Sequence, residues 1–134
     1  MSWRWIDRRL LVLLHDESLA MHGGASGLRE AGLLDSALAR PLNLTVYGEP
    51  DLAGLAASYA SGLAQNPPFV DGNKRAAFLS AGLFLGLNGY RLTASQAEAT
   101  VAVIGLASGE IDEATFAAWL RDRIAARRPQ LSTP

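Results

Sequence analysis

The sequence predicts an all-α domain built as a compact helical bundle around a buried central helix. Leu and Ala dominate the apolar residues of the 134-residue chain, whereas Val and Ile together number nine and are scattered. Leu and Ala favour helices, and the β-branched Val and Ile favour strands. No stretch alternates between apolar and polar residues for long enough to predict a strand.

Apolar residues at helical spacing, bounded by Gly, Pro and capping residues, predict six helices. The expected bounds are 7–21, 30–39, 51–65, 74–87, a helix that begins at Ser95, and 112–126.

Helix breakers and caps set the ends of the first three helices. Gly23 and Gly24 should end the first, because glycine leaves the helical conformation easily. Pro41 should stop the second, since a helix interior needs the N–H that proline lacks, and 41–50 should form a loop. Asp51 can accept a hydrogen bond from the first turn of the third helix.

The segment 74–87 is apolar on nearly all sides. A helix without a polar face is usually buried all round, so we expect this one at the centre of the bundle. Asn88 and Gly89 should close it. Ser95 and Glu98 form the sequence pattern of a capping box. The last helix should bury four side chains, Phe116, Trp119, Leu120 and Ile124.

Length and composition predict one cytoplasmic domain over residues 1–126 with a flexible tail at 127–134. The net charge of −1 gives no overall field that would attract nucleic acid or an anionic membrane. The absence of cysteine excludes disulfides, a thiol nucleophile and a cysteine zinc site. The apolar run at 10–14 is too short for a membrane span, and no signal-peptide pattern follows it.

Residues 66–78, NPPFVDGNKRAAF, hold the strongest functional signal. Asp71 could bind Mg²⁺, which takes one or two carboxylates together with phosphate oxygens. Lys74 and Arg75 could neutralise phosphate charge. A helix that opens at Asn73 or Lys74 would aim free backbone N–H groups and a positive dipole end into the loop. The run therefore suits a magnesium-bound nucleotide.

A structural interpretation accounts for the same residues. Asp-Gly-Asn is an ordinary turn sequence, and Lys-Arg is often a solvated first turn. Gly72 would supply a backbone conformation or a close approach that a Cβ forbids. Asn73 would bind a phosphate oxygen or cap the helix, and Phe69 should anchor the loop on the core. Lys74 and Arg75 point about 100° apart on a helix, so we expect only one to face a ligand.

The run resembles the signature of the Fic/Doc family, His-x-Phe-x-(Asp/Glu)-Gly-Asn followed by a basic stretch. A Lys directly after the Asn, as at Lys74, resembles the Doc (death-on-curing toxin) branch of the family. The AMP-transferring Fic branch usually has Gly there and Arg at the position of Phe78. Other segments that resemble Doc-type sequences, over about residues 10–125, are His22-Gly23-Gly24, Gly27-Leu28-Arg29-Glu30, the stretch 33–41, Tyr47, Ala56-Ala57-Ser58-Tyr59, Leu87-Asn88-Gly89-Tyr90 and Trp119-Leu120.

One position departs from the family pattern. The catalytic His of the family lies two residues before the Phe, where this chain has Pro67. Proline has no titratable group and cannot accept a proton. His15 and His22 are the only histidines, and neither is expected to replace the missing base. A change from His to Pro needs a single base substitution, and the intact neighbouring residues favour a selected or designed inactivation over natural degeneration.

The resemblance implies a Fic-type helical fold and a toxin of a toxin–antitoxin module. Such a toxin would act as a kinase that moves the γ-phosphate of ATP to a Thr of elongation factor Tu and blocks translation. Asp71 would hold Mg²⁺, Gly72, Asn73, Lys74 and Arg75 would bind phosphates, and Arg75 would rank above Lys74 because the family's Arg belongs to the anion-binding nest. With Pro67 we expect severe impairment.

The resemblance also implies a cognate antitoxin whose C-terminal segment lies along a groove of the toxin. Trp3 and Trp5 could contact such a partner or pack on their own core, and four arginines near the C-terminus, Arg121, Arg123, Arg127 and Arg128, could attract an acidic segment or form a solvated face. Two rival functions remain, a non-catalytic pseudo-toxin that binds antitoxin and an AMP-transferring Fic enzyme.

Overall fold

The computed structural model describes residues 2–127, which form six α-helices and one small antiparallel sheet. The elements in chain order are α1 (Arg8–His22), α2 (Ala31–Tyr47), α3 (Leu52–Gln65), α4 (Asn73–Leu87), β1 (Tyr90–Leu92), α5 (Gln96–Ser108), α6 (Glu113–Arg121) and β2 (Ile124–Ala126). The predicted all-α class is confirmed, because helices contain most of the described residues and each strand has only three.

Four of the helices begin at a side chain that accepts a hydrogen bond from a backbone N–H of the first turn. These capping residues are Asp7, Asp51, Ser95 and Asp112. Ser95 and Glu98 form the predicted capping box, in which each side chain binds the other residue's backbone N–H. Local sequence therefore sets these four helix starts.

The buried centre of the bundle is α3, and the prediction that 74–87 would be central is wrong. The segment 55–63 of α3 is entirely buried, and the helix packs against α2, α4, α5 and α6. Small residues permit this approach, since a Cβ on Gly62 would lie 3.1 Å from side-chain atoms of Ala37 and Arg40. By contrast, α4 keeps several apolar residues half-exposed, among them Phe78 and Leu83.

Pro41 does not stop α2, so the predicted end at residue 39 and the predicted loop at 41–50 are wrong. The helix continues to Tyr47, and only 48–51 connect it to α3. Proline in a helix interior removes one backbone hydrogen bond but does not forbid the helical φ. Here the Pro41 ring is fully buried, and its burial offsets part of that loss.

The last predicted helix, 112–126, is too long. It ends at Arg121, and Ile124–Ala126 instead forms β2, which pairs with β1 through Tyr90 opposite Ala126 and Leu92 opposite Ile124. Phe116 and Leu120 are buried as expected, whereas Trp119 and Ile124 are only partly buried. Strands of three residues are too short to show an alternating pattern in the sequence.

The two ends of the described segment 2–127 are attached to the same end of the bundle. Trp5 stacks on Phe84 with ring centroids 5.9 Å apart, and Trp3 lies 6.1 Å from the same ring. The backbone N–H of Arg127 donates to the Gly89 carbonyl at 2.9 Å. The two tryptophans therefore pack on their own core, and a role in antitoxin contact stays a prediction. Apart from Arg127, the predicted tail 127–134 lies outside the described residues.

Three of the four C-terminal arginines are engaged within the fold, and Arg127 Nη1 donates to the Gly86 carbonyl at 3.3 Å. Arg121 donates two hydrogen bonds to Asp51, at 2.7 and 3.0 Å, and Arg123 lies 4.8 Å from the centre of the Trp119 ring. Arg128 is outside the described residues. Over 2–127, no helix combines the length and the apolar character that spanning a bilayer requires.

Replacing Asp51 by Ala should lower the free energy of unfolding by about 1 kcal/mol near pH 7, because α3 loses its cap. Hydrogen bonds from Arg121 and from the Gly54 backbone hold the pKa of the Asp51 carboxyl below its usual value. Its contribution is therefore complete above about pH 4 and is lost as the pH falls through the lower, folded-state pKa.

Chemical denaturation of both proteins between pH 7 and pH 2 measures this effect. The difference between them should shrink on acidification, and a difference that is constant with pH would contradict the assignment. Glu17→Ala, at an exposed residue of α1, is the matched control and should cost less at pH 7.

Candidate active site

The loop between α3 and α4 borders a cavity of about 570 Å³, which we call the loop cavity. Six of the seven residues singled out in the sequence line it, namely Pro67, Asp71, Gly72, Asn73, Lys74 and Arg75. The other wall comes from α5, through Ile104, Ala107 and Ser108. The five-residue run of charged and polar groups thus faces one shared space.

A second cavity of about 230 Å³ lies between α4 and α5 and shares Lys74, Arg75 and Ile104 with the first. Both cations line both cavities, and the expectation that only one would face a ligand stays a prediction. The first turn of α4 lies between the two spaces, and side chains that diverge by about 100° can border both. Within residues 2–127 neither cation forms an ion pair with a carboxylate.

The start of α4 has no side-chain cap. Gly72 precedes it in the left-handed conformation, with φ 72° and ψ 26°, which favours glycine. The backbone N–H groups of Asn73, Lys74 and Arg75 have no acceptor among the described residues. Free N–H groups and the positive end of the helix dipole make this turn a suitable site for an anion.

Asn73 closes the loop instead of capping the helix. Its Oδ1 accepts a hydrogen bond from the Phe69 N–H at 2.9 Å, and its Nδ2 donates to the Phe69 carbonyl at 3.0 Å. The side chain therefore ties the first residue of α4 to the backbone four residues earlier. The capping alternative from the sequence is wrong, and phosphate binding by Asn73 stays a prediction.

Phe69 fixes the loop to the body of the protein. Its side chain is 2% exposed, and its ring centre lies 3.9 Å from that of His15 on α1. The backbone on either side is held by the segment 27–30, since the Val70 N–H donates to the Gly27 carbonyl and the N–H groups of Arg29 and Glu30 donate to the Pro68 carbonyl.

Arg29 is a contributor to the site that residue-level reasoning did not identify. Its Nη2 donates to the Pro67 carbonyl at 2.9 Å and so holds the backbone at the residue where the sequence pattern led us to expect a catalytic His. Its position in Gly27-Leu28-Arg29-Glu30, one of the segments with family resemblance, was the available signal. Because it lies 38 residues from Pro67, local sequence could not show the contact.

Asp71 is exposed and is oriented by backbone groups. Its Oδ1 accepts from the Gly72 N–H at 2.8 Å, and its Oδ2 accepts from the Ala25 N–H at 3.3 Å. Carboxylate oxygens have further lone pairs, so the group can still bind a cation. No cluster of three His, Asp or Glu side chains suited to a metal occurs in the described part of the chain. The residues therefore fit Mg²⁺ that arrives with phosphate oxygens.

Neither histidine lines the loop cavity. His15 is inaccessible to solvent beneath Phe69, and His22 is exposed in the last turn of α1. Pro67 is half-buried at the cavity wall and offers no side-chain base.

Comparison with known proteins decides the family. Residues 5–85 match the model of the Fic/DOC family. The chain belongs to this family. A similar Fic/DOC protein is "Protein kinase doc" of Escherichia phage P1, which is 35% identical over 119 residues, or 88% of this chain and 94% of the relative. "Toxin Doc" of Mycolicibacterium smegmatis is 48% identical over 75 residues, which cover 54% of this chain and 57% of that protein.

Asn73→Ala should open the loop between α3 and α4, because the N–H and the carbonyl of Phe69 both lose their hydrogen-bond partner. We expect the free energy of unfolding to fall by about 1–3 kcal/mol. Hydrogen exchange at the Phe69 amide, measured by NMR, should accelerate. Asn43→Ala, at an exposed asparagine of α2 with no side-chain hydrogen bond within residues 2–127, is the matched control. Unchanged exchange at Phe69 would contradict the assigned role of Asn73.

Proposed function

We propose that this chain is a Doc-type toxin whose ancestral activity transfers the γ-phosphate of ATP to a threonine of elongation factor Tu. The observation that carries the proposal is the uncapped start of α4 beside the loop cavity. Three N–H groups there have no acceptor within residues 2–127, and Lys74, Arg75 and Asp71 line the same cavity. Family membership and the name of the phage P1 relative, a protein kinase, support the same reaction.

The chain's own groups suit the phosphates of a nucleotide. The N–H groups at the start of α4 and the side chains of Lys74 and Arg75 would bind phosphate oxygens and offset their charge. Asp71 would hold Mg²⁺, which supplies further neutralisation of the phosphates when bound. Positioning and charge neutralisation provide most of the catalysis in phosphoryl transfer, and these groups are all present.

A base for the acceptor hydroxyl is missing at the expected position. Pro67 lines the loop cavity beside Asp71, but its ring can neither take nor give a proton. Loss of a general base costs about 10²–10⁴ in rate. The backbone around Pro67 is still held in place by Arg29. The Arg29 side chain donates to the Pro67 carbonyl, and the Arg29 backbone N–H donates to the Pro68 carbonyl. We therefore expect an assembled site with severely reduced turnover.

A pseudo-toxin that binds nucleotide and antitoxin without turnover is the second candidate, favoured by the missing base. AMP transfer is less well supported. That branch usually has Arg at the position of Phe78, and here an aromatic ring lines the smaller cavity beside Lys74 and Arg75. For either toxin reading we propose a cognate antitoxin as partner, with its C-terminal segment in a groove, and a cytoplasmic site of action.

Restoring histidine with Pro67→His should make induced expression arrest growth and translation, because the base returns to an otherwise assembled site. Mass spectrometry of elongation factor Tu from those cells should show an added phosphate on a threonine, whereas added AMP would support the rival Fic chemistry.

Pro67→Ala is the matched control, because it also releases the ring constraint but supplies no base. We expect Pro67→Ala to leave growth unchanged. The double variant Pro67→His with Asp71→Asn should also leave growth unchanged. A Pro67→His protein that leaves growth and elongation factor Tu unchanged would contradict the kinase proposal and favour the pseudo-toxin.

Arg75→Ala should weaken binding of the magnesium complex of a non-hydrolysable ATP analogue by about 10- to 100-fold, as expected when a charged hydrogen-bond donor is removed. Isothermal titration calorimetry on the chain as it stands measures this. Arg91→Ala, at an exposed arginine of β1, should bind like the unaltered protein. Equal affinities for all three proteins would place the phosphates elsewhere.

A further inference from the structure

His15 is an unexplained polar residue in the core. Its side chain is 0% exposed, and both ring nitrogens lack a hydrogen-bond partner among the described residues. It occupies the middle of the buried stripe of α1, between Leu11 and Leu19. Leu11 and Leu19, one helical turn away on either side, show that apolar residues are sufficient on this buried face of α1. A buried polar group without a partner is rare, and packing alone does not explain a histidine here.

The ring lies directly beneath the functional loop. A Cβ placed on Gly72 would be 2.9 Å from His15 Cε1, 3.7 Å from Nε2 and 3.1 Å from Leu19 Cδ2. The Phe69 ring lies against the same imidazole. His15 and Leu19, one helical turn apart, therefore form the floor on which the backbone of the loop rests, and the Cε1–Nε2 edge of the ring faces that backbone.

An acceptor for the ring lies close by. Burial lowers the pKa of His15, which keeps the imidazole neutral at pH 7 with one N–H to donate. The Asp71 backbone and the charges of Asp16 and Asp71 act in the opposite direction. The Asp71 carbonyl accepts no hydrogen bond within residues 2–127, and it directly precedes Gly72, whose backbone rests on the Cε1–Nε2 edge of the ring. Even so, neither ring nitrogen of His15 forms a hydrogen bond within residues 2–127.

We propose that His15 is a positioning residue for the loop, and that its ring N–H engages the Asp71 carbonyl when a magnesium nucleotide occupies the loop cavity. The free protein then leaves this donor unpaired, and the bound protein satisfies it. His15 thereby favours the loop position in which Asp71 and the start of α4 meet the ligand. The inference rests on the proposed function, since it requires nucleotide binding at this site.

Replacing His15 by Phe separates this role from packing. Phenylalanine keeps a ring beneath Gly72 but has no donor, and removal of an unpaired buried polar group can leave a protein equally or more stable. We therefore expect an unchanged or higher melting temperature together with weaker binding of the magnesium complex of the β,γ-imido analogue of ATP. The loss of one neutral hydrogen bond corresponds to about two- to tenfold in Kd.

Two further variants complete the series. His15→Gln places an amide donor near the position of Nε2 and should recover part of the affinity. Leu11→Met, one helical turn before His15 on the same buried stripe of α1, alters core packing without changing any donor, and it should leave Kd unchanged. Isothermal titration calorimetry and thermal unfolding on the same samples give both quantities.

Nitrogen NMR of the histidine rings provides a direct readout on the unaltered chain. The protonated ring nitrogen of His15 should shift, and its proton should exchange more slowly, when the β,γ-imido analogue and Mg²⁺ are added. The exposed His22 serves as an internal reference and should change little. This signal does not depend on how well any variant folds.

The outcomes separate the two proposals. Unchanged His15 ring signals on nucleotide binding, or equal affinities for His15→Phe and the unaltered protein, would overturn the positioning role and leave the proposed function intact. If the unaltered chain binds no nucleotide, both proposals fall. Weaker binding by His15→Phe at undiminished stability, with a shifted His15 signal, is the result that supports the inference.

Discussion

The two hydrogen bonds between the Asn73 side chain and the Phe69 backbone are the constraint on which the functional region depends. They close the chain into a tight loop at the point where α4 begins. With that loop closed, Gly72 adopts its left-handed conformation and Phe69 reaches the core. The free N–H groups of α4 consequently face the loop cavity and not a neighbouring side chain.

The loop is supported mainly by residues distant in sequence. Arg29 and the segment around it hold the backbone at Pro67 and Pro68, while His15 supports Phe69 and Gly72 from α1. Behind the loop, α3 is buried on every side and provides a rigid mount. The N-terminal half of the chain therefore serves the site although it carries none of the signature residues.

Three departures from ordinary local rules meet in this region. Four of the six helices begin with a side-chain cap, and of the two that do not, α2 and α4, only α4 begins at the loop cavity. Within residues 2–127, His15 is buried without a partner for its ring nitrogens, and the adjacent Lys74 and Arg75 form no ion pair with a carboxylate. Each departure reduces stability slightly, and proteins retain such features where a ligand can compensate for them. Their coincidence at one loop is a physical argument for a binding site, independent of family membership.

The sequence by itself determined the features that depend on neighbours in the chain. These include the helical class, the caps at Asp51 and Ser95, and the five-residue run that carries the chemistry. Only the tertiary structure decided the continuation of α2 through Pro41, the central place of α3, the pairing of β1 with β2, and the support of the loop by Arg29 and His15. The reason is physical: burial energy and contacts across 30 or more residues can override local propensity, and a single sequence does not show which distant residues meet.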